Sequence, residues 1–120
     1  MRRRQQPEAA IQRAIVSHLK VRAVPGVVYL HPANGGARTA IEGAILKGLG
    51  VVAGAPDLML FHGGKSFAIE LKAEGGRVTE AQVEMLTRLK DAGVLTAVCH
   101  GVDRAIEVLQ EWQLLKGQMQ

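Results

Sequence analysis

The run from Pro56 to Lys72 constrains the fold more than any other part of this chain. Asp57 to His62 and Ser66 to Lys72 are two β-type stretches separated by Gly63-Gly64. Two glycines between such runs supply the positive φ angles of a two-residue hairpin loop. That turn sets the register and places Asp57 directly opposite Glu70. Directly opposed residues on an antiparallel pair have Cβ atoms roughly 4.5–5.5 Å apart. Side chains alternate along a strand, so Lys72 joins Glu70 on the same face. Leu58, Leu60, Phe67, Ile69 and Leu71 point the other way, forming a wholly apolar face that needs a covering layer.

The flanking segments supply helices for that layer. Pro7-Glu8 opens a helical pattern in which Ile11, Ile15 and Leu19 recur every four residues, with Ala14 and His18 beside them. Pro25-Gly26 ends it. Val27 to His31 reads as a short strand, residues 31–38 as a loop, and Ala40 to Leu49 as a weak helix stopped by Gly50. After the hairpin, Thr79-Glu80-Ala81-Gln82 is a capping-box sequence. Its helix carries Met85, Leu86 and Leu89 and ends at Gly93. Leu95 to His100 reads as a strand, and Asp103 is placed to cap a last helix bearing Ile106, Leu109 and Trp112. The order of helix, strand, weak helix, hairpin, helix, strand, helix predicts an α/β domain with a mixed sheet. We expect a basic tail at residues 1–6, one domain over 7–116, and a frayed end at 117–120.

Composition narrows the class. The chain has 120 residues, enough for one core but not two. Aromatics are only 3%, which leaves aliphatic side chains to fill the core and argues against reading single strands by rows of stacked bases. The net charge of +4 favours a nucleic-acid or anionic partner without choosing between them. The single cysteine, Cys99, lies in an apolar run and reads as a core thiol. With no disulfide framework and no Cys/His cluster, a reducing cytoplasm is expected and structural zinc is not. The apolar stretch from Gly43 to Phe61 is broken by Lys47 and Asp57 and makes a poor membrane span.

Two carboxylates facing each other across a hairpin repel. A divalent cation is the usual compensation, and Lys72 adds positive charge on the same face. Mg²⁺ takes one or two carboxylates together with waters and substrate phosphate oxygens. Such an ion activates water and stabilises charge on a phosphodiester. The plain alternative is a solvated strand face with a Glu70–Lys72 pair, since Glu-x-Lys arises often by chance.

Taken together, the residues resemble a known pattern. Gly54-Ala55-Pro56-Asp57-Leu58, then Ala68-Ile69-Glu70-Leu71-Lys72, then Gly76-Arg77 and Thr79 to Gln82 are similar to the PD-(D/E)XK nuclease superfamily. More narrowly they resemble the VRR-NUC family of virus-type replication-repair nucleases, over Glu8 to about His100. The resemblance implies a restriction-endonuclease-like fold and phosphodiester hydrolysis dependent on Mg²⁺ or Mn²⁺. It implies metal ligation by Asp57, Glu70 and the Leu71 carbonyl, with Lys72 at the attacking water or scissile phosphate. Glu8 matches a helix-borne family glutamate and joins the metal and catalytic set; Gln82 matches a family glutamine. It further implies a resolvase-like endonuclease acting on branched DNA, often as a homodimer, in a bacterial or phage-infected cell.

Several of these residues have a second reading. Gln82 is the expected capping-box partner of Thr79, and Glu8 sits in a first helical turn where the dipole favours acids. Asn34, Gly35, Gly36 and Arg38 form a loop suited to phosphate contact, or an ordinary turn. Lys47, Arg77 and Thr79 are further candidates for nucleic-acid contact, or are merely solvated. His18 reads as a core histidine, His62 and His100 as strand ends, and Glu74 as part of a turn. Two other functions compete with a nuclease. One is a non-catalytic nucleic-acid-binding module on the same scaffold. The other is a small interaction protein whose charged hairpin face is only surface.

Overall fold

The hairpin forms as its glycines require. Gly63 and Gly64 take φ of 60° and 81°, the pair of positive values that defines the tightest β-turn matching strand twist. In the computed structural model, which describes residues 6–32 and 39–117, this hairpin is the centre of the sheet. Leu58 pairs with Ile69, Met59 with Ala68 and Leu60 with Phe67, the register expected from the turn. Asn34, Gly35, Gly36 and Arg38 lie outside the described residues, as do residues 1–5 and 118–120.

Eight elements follow in the order expected: α1 (Gln6–Arg22), β1 (Val28–Leu30), α2 (Ala40–Gly48), β2 (Leu58–His62), β3 (Lys65–Lys72), α3 (Glu80–Asp91), β4 (Leu95–His100) and α4 (Val102–Glu111). The sheet order is β1-β2-β3-β4. The first three strands are antiparallel, and β4 joins β3 in parallel after the α3 crossover. The fold is therefore α/β with a mixed four-stranded sheet and flanking helices. No helix among the described residues is long and apolar enough to cross a membrane.

The core lies where the apolar face of the hairpin demands. Leu58, Leu60, Phe67, Ile69, Leu71 and Cys99 are buried against Ile15 and Leu19 of α1, Ala105, Val108 and Leu109 of α4, and Leu114 and Leu115 beyond it. Trp112 tilts against Phe67 with ring centroids 5.0 Å apart, which closes one end of this layer. α3 packs against β4, leaving the opposite face partly covered.

Three local expectations need correction. Gly101, not Asp103, is the N-cap of α4, with no side-chain hydrogen bond, and Asp103 falls inside the first turn, where its charge still meets the helix dipole. His18 is half-buried rather than core, because its Nδ1 pairs with Arg22 Nη1 one turn later at 3.0 Å. The helix of the first segment begins at Gln6, one residue before Pro7.

Candidate active site

Three pieces of backbone meet at the end of β3. The loop through Gly54 to Asp57 enters β2, β3 carries Glu70 to Lys72, and α3 begins at Thr79. Their approach depends on Gly54. Its φ is +79°, and a Cβ there would collide with the Ala81 carbonyl oxygen. Only glycine lets the loop pass this close to the first turn of α3.

Asp57 stands one residue before β2 and, by the register, opposite Glu70. Its Oδ2 accepts a hydrogen bond from the Leu71 backbone N–H at 2.7 Å. That bond fixes the carboxylate against the neighbouring strand. The Lys72 carbonyl accepts from Gly101 on the β4 side. Adjacent residues of a strand turn their backbone groups to opposite neighbours, so the Leu71 carbonyl faces the Asp57 side.

Among the described residues, Glu70 and Lys72 are the buried charged side chains, at 2% and 6% exposure. Lys72 Nζ lies 3.7 Å from Glu70 Oε2. The same oxygen accepts from Gln82 Nε2 at 2.8 Å. Gln82 Oε1 meanwhile accepts from the Thr79 N–H at 2.8 Å, and Thr79 Oγ1 accepts from the Gln82 N–H. One amide therefore closes the capping box with one end and holds Glu70 with the other.

The second Glu70 oxygen, Oε1, is buried without a hydrogen-bond partner. Burial and then the facing Asp57 charge push the Glu70 carboxyl up to about 8, against the opposing pull of Lys72; Glu8 raises it further. An orphaned carboxylate oxygen beside a second carboxylate and a backbone carbonyl is a hard, oxygen-rich donor set that suits Mg²⁺ or Mn²⁺.

Glu8, on α1, reaches over the Gly76 turn, where its Oε2 would lie 3.5 Å from a Cβ at that glycine. It adds charge to the pair yet stands apart from it: among the described residues no three His, Cys, Asp or Glu side chains converge as ligands for one ion. Arg77 is exposed beyond Gly76, and Thr79 acts as the helix cap. Lys47 lines a cleft of about 460 Å³ between α2 and α3 that Arg88 and Glu84 also border and that includes neither Asp57 nor Glu70 in its lining. His62 and His100 tie strand ends to turns through the carbonyls of Pro25 and Gly76.

Two residues of the site escaped the sequence reading. His31 Nδ1 lies 2.6 Å from the Asp57 carbonyl, and Gln12 Nε2 lies 3.3 Å from it. A carbonyl only accepts, so both nitrogens donate to it and the His31 Nδ1 carries a proton. Gln12 could have been flagged, being one helical turn after Glu8 on the same face. Nothing in the spacing of His31 marks it.

An α/β fold whose central hairpin carries Pro56-Asp57 and Glu70-x-Lys72 at one end is that of the PD-(D/E)XK nucleases. The VRR-NUC domain family model matches residues 6–103, and the chain belongs to that family. It thus carries a nuclease-type domain. A solved structure described as a VRR_NUC domain protein is similar, with a TM-score of 0.73 at 27% identity, over 92% of this chain and 91% of the other. A comparison with curated proteins finds no match.

Proposed function

We propose that the chain is a divalent-metal-dependent DNA endonuclease, selective for branched or junction structures and active as a homodimer. The observation that carries the reading is the buried Glu70, with one unpartnered oxygen, facing Asp57 beside Lys72. Asp57, Glu70 and the Leu71 carbonyl would hold Mg²⁺ or Mn²⁺, which supplies Lewis-acid polarisation and a water of lowered pKa when bound.

The chain's own residues do the rest. Leu71 N–H keeps Asp57 aimed across the hairpin, and Gln82 keeps Glu70 from turning toward Lys72 alone. Lys72 presents its ammonium one strand step from Glu70, where it orients an attacking water or contacts the scissile phosphate. Preorganised charge of this kind does not have to reorganise as the phosphodiester becomes more negative. The net charge of +4 suits a polyanionic substrate.

Two active sites serve two strands of a symmetric junction, which supports a twofold assembly. Ile41 and Ile45 of α2 and its C-cap Leu49 recur every four residues and are 75%, 58% and 75% exposed. An exposed apolar stripe of this kind favours association.

The deciding experiment is cleavage of a DNA panel (junction, flap, duplex and single strand) with Mg²⁺ or Mn²⁺, beside Lys72→Ala. Cleavage of the junction by wild type and a loss of at least about 100-fold in the variant are expected. Wild-type binding without cleavage in any divalent metal would instead make the chain a binding module. Sedimentation of the wild-type protein tests the dimer.

A further inference from the structure

A shallow groove of about 450 Å³ runs along α1, lined by Gln12, Arg13, Ser17, Lys20 and His31 among others. No acidic residue lines it among the described residues. Arg13 and Lys20 are exposed, and neither forms a salt bridge among the described residues. Arg13, Ser17 and Lys20 fall at i, i+4 and i+7, one stripe of the helix. Seven residues of helix rise about 10.5 Å. Projected on the duplex axis, where one strand carries a phosphate roughly every 3.4 Å, that span covers about three of them.

The groove also opens onto the site. Gln12 and His31 line it and at the same time donate to the Asp57 carbonyl. A strand lying in the groove is therefore one side chain away from the backbone of a catalytic carboxylate.

We propose that this groove is a binding track for the DNA sugar–phosphate backbone, holding the strand that flanks the scissile phosphate. Arg13 and Lys20 each neutralise a phosphate, and the Ser17 hydroxyl donates between them. The track rests on the nuclease reading and adds to it the path of the substrate. It positions without reading sequence, since backbone contacts carry no base information.

The test measures binding rather than cleavage. A fluorescein-labelled duplex is titrated in EDTA at several salt concentrations with wild type, with Arg13→Gln/Lys20→Gln, and with Lys65→Gln/Lys90→Gln. The last variant loses the same charge from exposed positions away from the groove. Each lost phosphate contact lowers the slope of log affinity against log salt by about 1. The groove variant should lose about 2 from that slope, and the control should keep the wild-type value. A second readout does not depend on a loss. Ser17→Cys carrying a photo-crosslinker should attach to the duplex, because the one native cysteine, Cys99, is buried. Equal slopes for groove and control variants, with no crosslink from position 17, would overturn the track even where wild type cuts DNA. Failure of wild type to bind DNA at all would overturn the nuclease reading along with it.

Discussion

Glu70→Gln tests the electrostatics of the site without requiring any substrate. In the metal-free protein the Glu70 carboxyl is raised from 4.5 to about 8, first by burial and then by the facing Asp57. The proton is shared within the interacting pair, so the titration belongs to both groups together. The folded chain keeps this proton at pH values where the unfolded chain has released it. Stability of the metal-free wild type therefore falls as pH rises from about 4.5 to about 8, and the loss is complete above that window. One proton corresponds to about 1.4 kcal/mol per pH unit. Across the window the loss is on the order of 5 kcal/mol, and by pH 7 on the order of 3 kcal/mol.

Glutamine has the shape and neutrality of the protonated acid and cannot ionise. Its side-chain oxygen still accepts the Gln82 amide. Urea denaturation in EDTA, repeated from pH 5 to pH 9, should show the two proteins near equal at the acid end. Glu70→Gln should be more stable at the alkaline end by the difference above. Added Mg²⁺ should stabilise wild type at pH 8 and leave the variant unchanged. Parallel stability profiles for the two proteins would refute the argument, since they would mean that Glu70 ionises as freely when folded as when unfolded.

Other perturbations follow from the same geometry. Gly54→Ala forces a Cβ toward the Ala81 carbonyl at a positive φ and should cost at least about 2 kcal/mol in chemical denaturation, with cleavage lost as α3 is displaced. Thr79→Ala removes the cap and should cost about 1 kcal/mol. It also frees Gln82, so Mg²⁺ affinity measured by calorimetry should fall by more than in a cap variant of α2 such as Thr39→Ala. His31→Ala leaves the Asp57 carbonyl with Gln12 alone, and should weaken Mg²⁺ binding while circular dichroism stays unchanged. A calorimetric Mg²⁺ affinity equal to wild type would remove His31 from the site.

Much of this molecule was legible from local pattern. The Gly63-Gly64 turn set the hairpin register, and the register alone put Asp57 opposite Glu70, because side-chain direction in a strand has period two. Thr79 and Gln82 announced a helix start, since capping is chemistry between residues three apart. The α1 stripe through Ile15 and Leu19 identified the covering layer. Misplacement of the last cap came from the same locality: Asp103 is a good cap by type, but the strand β4 runs on to His100 and the chain turns at Gly101, φ +90°.

Tertiary structure decided what depends on separate segments meeting. The choice between cap and site for Gln82 had no answer within α3, because its other partner lies across the sheet on β3. Gly54 read as part of a motif, but its necessity comes from the approach of Ala81, a contact between segments that no periodicity encodes. Gln12 and His31 come from α1 and the end of β1, and they reach the Asp57 carbonyl only because the sheet order puts β1 beside β2. Periodicity and turn chemistry are properties of neighbours along the chain, and they fixed the elements, the register and the charged hairpin face. The burial that pushes Glu70 up to about 8, the orphaned oxygen and the groove along α1 are properties of distant segments packed together, and only the folded chain contains them.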